Sequence, residues 1–264
     1  LRAAIRHGAG RDMIPIPEAT AAGVLLANVP GANAVTVAEH VIFTAIALLR
    51  RFSIVDRDLR SAGWNVAREH SYHLSDLSGL TMGIVGMGNL GHAIFKIAHG
   101  GFGMDVIANS RRRESLPSGA RFAALDDLVA EADIVVLCCP LTPQTTGLMS
   151  RERIMRMKPG ALVINVARGP VIDENALVDA LREGRIGGAA LDVFSTQPLP
   201  VDHPFFTFDN VILTPHMAGI TRDSMMRMGT GAAAEAVRVL EGGLPVNLCN
   251  PDAVPRYRER FPQI

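Results

Sequence analysis

The sequence has little cysteine, no surplus charge of either sign and no apolar run of membrane-spanning length. Three cysteines occur in 264 residues, Cys138 and Cys139 adjacent and Cys249 remote. That spacing fits neither a disulfide framework nor a metal-ligand set. It predicts reduced, buried thiols in an intracellular, cytoplasmic protein that binds no metal. Lys+Arg 26 balance Asp+Glu 26, so no general attraction to nucleic acid or an anionic membrane is expected. The most apolar stretch, 34–49, is interrupted by Glu39 and His40. The opening Leu-Arg-Ala-Ala-Ile-Arg-His carries charge where a secretory leader is apolar. Repeats and low-complexity tracts are missing too, which excludes solenoid and disordered classes. The first residue is not methionine, from which a missing front segment is expected.

What is present is ordinary globular material, 48% hydrophobic and 20% charged, in a length that suits two domains. Short apolar, β-branched runs at 80–85, 104–108, 133–137, 161–166, 188–193 and 211–213 read as buried strands. Helices are expected between them. One covers 89–99 and stops at Gly100-Gly101, and a short one covers 125–131. Another covers 151–157 with Ser150 as its cap, and a fourth covers 174–183 with Asp173 as cap and Gly184 beyond it. This alternation predicts an α/β fold with a doubly wound parallel sheet. Long helices at 36–51 and 221–241 flank the block and are expected to bridge to a second, smaller α/β domain. That domain would contain a short helix at 17–22 and a strand at 24–27. The expected division is 1–32 (partial small domain), 33–220 (dinucleotide-binding domain) and 221–264 (return helix and tail).

Gly86-Met87-Gly88-Asn89-Leu90-Gly91 fits G-x-G-x-x-G between a predicted strand and a predicted helix. Gly86 would allow the tight turn, Gly88 the approach of a pyrophosphate, and Gly91 close helix–strand packing. The helix N-terminus would then face the phosphates. About 20 residues on, where an NAD site places an acid on the ribose hydroxyls, stand Asn109, Ser110, Arg111, Arg112 and Arg113. A carboxylate there would repel a 2′-phosphate, whereas guanidinium groups bind one. NADP(H) is therefore expected, with NAD as second choice.

Three more segments end at predicted strands: Asn165-Val166-Ala167-Arg168-Gly169, Leu191-Asp192-Val193-Phe194, and Thr214-Pro215-His216. A parallel sheet brings such ends to one edge, beside the glycine loop. An Arg and a His there suit a 2-oxo acid: the guanidinium holds carboxylate and carbonyl oxygen, and the imidazolium gives a proton as hydride arrives.

On these residues, with His7-Gly8-Ala9-Gly10-Arg11-Asp12, Asn28-Val29-Pro30-Gly31-Ala32-Asn33, Val37-Ala38-Glu39-His40 and Pro140-Leu141-Thr142, the chain resembles the D-isomer-specific 2-hydroxyacid dehydrogenase family. The resemblance runs over nearly the whole chain. It implies two domains closing over a cleft, in a homodimer. It implies that Arg168 binds substrate, that His216 is the acid/base, and that Asp192 holds the nicotinamide amide. Pro140 and Ala167 fall with the cofactor, and the backbone of Ala9 and Gly10 meets the substrate carboxylate. Trp64 would sit on an arm reaching the partner subunit. The small domain of the family normally starts earlier, by about two strand–helix units, so the strand near Val24 is expected to present a raw edge.

One departure bears on chemistry. The family usually carries Glu where this chain has Gln197. Gln197 can orient the His216 ring through its carbonyl oxygen but supplies no charge. The leading expectation is an NADPH-dependent reductase of small 2-oxo acids such as glyoxylate or hydroxypyruvate. Formate-dehydrogenase-like and phosphoglycerate-dehydrogenase-like members remain open. So does a dinucleotide-sensing, corepressor-like binding protein without turnover.

Overall fold

The computed structural model describes residues 1–262, which divide into two compact units, Val37–Ala218 and a second built from Leu1–Thr36 with the segment from Gly219 onward. The chain starts in the second unit with β1 (Ala3–Ile5), α1 (Ile16–Ala21) and β2 (Leu25–Ala27). It then runs through α2 (Ala34–Leu49), α3 (Phe52–Ser61) and α4 (Trp64–Glu69). Next comes the alternating block: β3 (Thr81–Val85), α5 (Asn89–Phe102), β4 (Asp105–Asn109), β5 (Ala120–Phe122), α6 (Leu125–Glu131), β6 (Ile134–Leu137), α7 (Arg151–Arg156), β7 (Leu162–Asn165), α8 (Glu174–Arg182), β8 (Gly188–Leu191) and β9 (Val211–Leu213). It closes with α9 (Arg222–Leu240) and α10 (Val254–Arg260).

The seven strands of the larger unit form one sheet in the order β5-β4-β3-β6-β7-β8-β9, parallel throughout. Its central strands are buried along their whole length, which is why they read as unbroken apolar runs. Side chains alternate across the sheet. Met82, Ile84, Ile134, Val136 and Ile164 join a core with Val41 of α2 and Ile94 of α5. Val85, Val135, Leu137 and Val163 join another with Leu128, Ile154 and Leu177 of α6, α7 and α8. Helices on both faces make the sheet doubly wound, a Rossmann-like α/β fold. The order reverses between β3 and β6, and in such sheets the crevice at that switch point takes the ligand.

Several local expectations need correction. The helix after the glycine motif does not stop at Gly100-Gly101. It runs to Phe102, and Gly103 (φ +63°) supplies the left-handed residue that ends it. Ser150 precedes α7 without a capping hydrogen bond to the helix backbone. Its hydroxyl serves the Glu152 carboxylate instead, which lowers the pKa of that acid. Asp173 does cap α8, accepting from the Ala176 N–H at 3.0 Å. Strands β1 and β5, three residues each, carry no apolar run long enough to announce them.

In the smaller unit β2 is not a raw edge. It pairs in parallel with β1 on one side, and on the other Ala27 bridges antiparallel to Leu248. The Cys249 N–H donates to the Leu26 carbonyl at 2.7 Å. Buried Asn250 completes the seal: its Oδ1 accepts from the Leu26 N–H at 2.7 Å, and its Nδ2 donates to the Val24 carbonyl at 2.9 Å. Leu25, Val239, Ala253 and Tyr257 form the core beside it. Thr221 caps α9 and shares a reciprocal capping box with Ser224.

All three cysteines are free. Burial pushes the Cys139 thiol up to about 11 and the Cys138 thiol higher, so both are inert thiols. Among the described residues no helix is long and apolar enough to cross a membrane, and no cluster of side chains could hold a metal ion.

Candidate active site

Because every strand of the large sheet runs the same way, the segments after β3, β4, β6, β7, β8 and β9 meet along one edge. All the large-unit site residues expected from the sequence lie there. The glycine turn follows β3. Gly86 has φ +108°, and a Cβ on it would stand 2.8 Å from the Cys139 backbone, at the end of β6. A Cβ on Gly91 would collide with the Gly86 carbonyl oxygen. These two glycines are therefore required by the turn itself. Gly88 differs, since a Cβ there would meet nothing within 4 Å. Gly88 is also the N-terminal cap of α5 and provides no side chain to its first-turn N–H groups, so Asn89 and Leu90 open the helix uncapped. An open approach over Gly88 toward uncapped helix N–H groups fits a pyrophosphate. Cys138 tightens the turn from beneath, its thiol donating to the Gly86 carbonyl at 3.0 Å, and Pro140 stands exposed two residues on.

At the end of β4, the Asn109 carbonyl accepts from the Gly86 N–H at 2.9 Å, joining the two loops. The Asn109 amide donates to the Ala123 carbonyl at 3.0 Å, which leaves its Oδ1 for a ligand. Ser110 bonds within its own loop, and Arg111 and Arg112 are exposed. Arg113 is taken out of the expected cationic run: its guanidinium stacks 3.8 Å from the centre of the Phe122 ring.

Wholly buried Asn165 shapes the turn after β7. Its Oδ1 accepts from the Ala167 N–H at 3.0 Å and its Nδ2 donates to the Arg168 carbonyl at 3.1 Å. Arg168 donates from Nη1 to the Ala167 carbonyl at 2.7 Å. Gly169 lies against the Phe194–Ser195 backbone, where any side chain would collide, and so brings the Arg168 turn to the end of β8.

There Asp192 is buried and organises the last segment. Its Oδ1 accepts from the Thr214 hydroxyl at 2.7 Å and the Met217 N–H at 2.8 Å, and its Oδ2 from the Ala218 N–H at 3.0 Å. The Asp192 carbonyl accepts from the His216 N–H at 2.8 Å. His216, held between these bonds, takes φ +55°, a conformation a non-glycine residue adopts only when its surroundings enforce it. Its Nδ1 stands 3.2 Å from the Gln197 Oε1. An amide oxygen only accepts, so Nδ1 carries the hydrogen and Nε2 is left to exchange a proton. Behind this loop, His40 Nε2 is 3.5 Å from the Thr214 hydroxyl. Burial lowers the His40 pKa, although the Asp192 charge pulls the other way.

Asn165, Thr214 and His40 were not among the site residues expected from the sequence. All three do stand in its motifs, but the bonds that give Thr214 and His40 work join residues far apart in the chain. Ala9 and Gly10 follow Gly8 (φ +127°) in the smaller unit, where the Ala9 carbonyl accepts from the Asn28 amide at 2.7 Å.

Residues 42–218 match the family model for the D-isomer specific 2-hydroxyacid dehydrogenase NAD binding domain. Over 254 residues the chain is 39% identical to a glyoxylate reductase of Thermofilum pendens, covering 94% of this chain and 74% of that protein. It is 36% identical over 257 residues to glyoxylate/hydroxypyruvate reductase B of Pectobacterium carotovorum, with 96% and 80% covered. Among solved structures, an acyclic imino acid reductase (Bsp5) in complex with NADPH and D-Arg superposes with a TM-score of 0.86 at 27% identity, covering 94% of this chain and 78% of that one. The chain belongs to the D-isomer-specific 2-hydroxyacid dehydrogenase family and is an oxidoreductase with a nicotinamide-dinucleotide-binding domain.

Proposed function

We propose that the protein is an NADPH-dependent reductase of small 2-oxo acids, such as glyoxylate or hydroxypyruvate, that forms the D-2-hydroxy acid. The observation that carries this reading is the His216–Gln197 pair, which leaves Nε2 of the ring as a proton donor at the edge that also holds the glycine turn. Glyoxylate and hydroxypyruvate are the substrates in the names of the relatives, and their length of match supports carrying that class over.

A nicotinamide cofactor held at this edge would supply the hydride. Arg168 orients the substrate carboxylate and draws charge onto the carbonyl oxygen. His216 gives its Nε2 proton to that oxygen, so hydride and proton together turn C=O into CH–OH. Gln197 fixes the tautomer, and Asp192 holds the loop while keeping lone-pair capacity for a carboxamide. Gly86, Gly88 and Gly91 with the N–H groups of Asn89 and Leu90 take the pyrophosphate, beside Pro140 and Ala167. Ala9 and Gly10 are assigned the substrate carboxylate on family resemblance. Preference for NADPH rests on Asn109, Ser110, Arg111 and Arg112, with no carboxylate at the end of β4 to repel a 2′-phosphate. A homodimer is supported by apolar side chains left exposed on α2, α3 and α4, among them Phe43 (59%), Phe52 (58%) and Trp64 (67%). Three free thiols, Cys139 buried and Cys138 and Cys249 half-buried, are in keeping with a reducing compartment such as the cytoplasm.

A second reading has one observation in its favour. Gln beside the acid/base His resembles the formate dehydrogenase branch, where hydride leaves formate without a proton transfer. The test takes both: initial rates with glyoxylate and hydroxypyruvate, NADPH against NADH, and with formate and NAD. Faster turnover with NADPH and a 2-oxo acid is expected. Turnover of formate alone would select the second reading. Nucleotide binding without any turnover would favour a sensing protein.

A further inference from the structure

His92 sits in the first turn of α5, directly after Gly91. Both ring nitrogens meet main-chain carbonyls. Nδ1 is 2.9 Å from the Gly88 oxygen, and Nε2 is 2.9 Å from the Ser115 oxygen. A carbonyl accepts and never donates, so each contact is a hydrogen bond only if that nitrogen carries hydrogen. The neutral ring has one N–H and can satisfy one carbonyl. The imidazolium has two and satisfies both.

The two carbonyls belong to two different parts of the nucleotide site. Gly88 is the open glycine of the turn after β3. Ser115 closes the loop 110–115 that carries Arg111 and Arg112. Within that loop Ser110 bonds to the Arg112 backbone at 3.3 Å and Ser115 Oγ to the Arg112 carbonyl at 2.8 Å, while Arg113 is stacked on Phe122. The loop thus has an internal frame and one anchor on β5, and the His92 ring ties it to the glycine turn.

We propose that His92 is a positioning residue for the cofactor's 2′-phosphate. As the imidazolium it staples the loop 110–115 to the glycine turn and holds Arg111 and Arg112 where the phosphate sits. NADPH binding and protonation of the ring then favour each other. This rests on the NADPH reading above. The charged groups of the elements joined by the ring are Lys96, one turn further along α5, and Arg111, Arg112, Arg113 and Glu114 on the loop. The N-terminus of α5 adds a positive dipole end. A 2′-phosphate brings negative charge into this basic setting and favours the imidazolium. NADH brings none. Linkage makes the effect reciprocal: a proton that tightens NADPH is a proton taken up when NADPH binds.

The test is calorimetric titration of the full chain with NADPH and with NADH, from pH 6 to 8, in buffers of different ionisation enthalpy, for the wild type and His92→Gln. The 2′-phosphate titrates too, and its phosphorus NMR shift in each complex gives the part of the proton count that belongs to it. Expected is net proton uptake on binding NADPH, relative to the variant, with no such difference for NADH. The Kd(NADH)/Kd(NADPH) ratio should fall by roughly 5-fold or more in the variant, the size of an ordinary coupling, and keep only the pH dependence that the 2′-phosphate itself gives it. A variant that matches the wild type in proton count and ratio would overturn the staple and leave the NADPH reading standing. A wild type that binds NADH more tightly would overturn both. Ring-nitrogen NMR on the wild type decides the matter even if the variant does not fold: an imidazolium is expected for His92 in the NADPH complex near pH 7, and a neutral ring there refutes the proposal.

Discussion

At the residue scale the chemistry turns on what stands beside His216. A carboxylate at position 197 would stabilise the imidazolium by its charge, and Gln197 gives only a carbonyl oxygen at 3.2 Å. Reduction consumes the protonated ring, so its rate declines as pH rises and the ring loses its proton. Gln197→Glu should move that descending limb to higher pH, and the pH profile of kcat/KM for a 2-oxo acid measures it; an unmoved limb would remove Gln197 from the mechanism. Asp192 acts on the same ring by way of the backbone. Asp192→Asn turns an amide N–H toward donors that now meet a carboxylate, and charge-assisted bonds are at stake. The expected cost is about 2 kcal/mol of stability together with a fall in kcat, read by thermal unfolding and steady-state rates. The sequence showed Arg168, Asp192, Gln197 and His216 because their short motifs are distinctive. It did not show that three of the bonds to Asp192 would come from Thr214, Met217 and Ala218, since nothing local ties a residue to one more than 20 positions away.

At the element scale, the strand-turn-helix around Gly86, Gly88 and Gly91 separates two demands that a glycine motif confounds. Gly91 is a packing residue, as its missing side chain lets α5 lie on the Gly86 carbonyl. Gly91→Ala should destabilise the fold by about 1–3 kcal/mol, the usual cost of overpacking, and weaken nucleotide binding with it. Gly88 has φ −94° and open space where a Cβ would be. Gly88→Ala should therefore weaken NADPH by tenfold or more while the melting temperature stays within about 2 °C, the change expected for under about 0.5 kcal/mol. Binding and thermal unfolding of the two variants side by side check both. The strands of this unit were legible as apolar runs because a doubly covered parallel sheet buries both faces. The end of α5 was not legible. Gly100 and Gly101 look like a stop, yet neither takes the positive φ of a glycine cap, and the chain places that residue at Gly103. Edge strand β5 exposes Arg121 and is three residues long, too short for periodicity to mark it.

At the scale of the whole molecule, the smaller unit is assembled from both ends of the chain. Asn250 joins them, reaching the Leu26 N–H across 224 positions and taking the Val24 carbonyl as well. Its removal leaves a buried donor and a half-buried acceptor without their partner, at about 1–3 kcal/mol for a fully buried group. Asn250→Ala should cost about 3 kcal/mol in the smaller unit and leave the larger one folded. Hydrogen exchange checks this: amides of β1, β2 and α10 lose protection while those of β6 and β7 keep theirs. The strand near Val24 looked unprotected in the sequence because its cover arrives only at Leu248, Cys249 and Asn250.

That seal has a consequence for how the protein is made. During synthesis β2 leaves the ribosome about two hundred residues before the segment that closes it. The contiguous larger unit has all its strands by Ala218 and can form its sheet first. The outer side of β2 has no cover until the segment at Leu248–Asn250 emerges. Closing so long a loop adds little to the equilibrium cost but delays the event. On a nascent chain the exposed edge of β2 is therefore the stretch in most need of a chaperone, and a translational pause after Ala218 would lengthen that exposure without touching the nucleotide site.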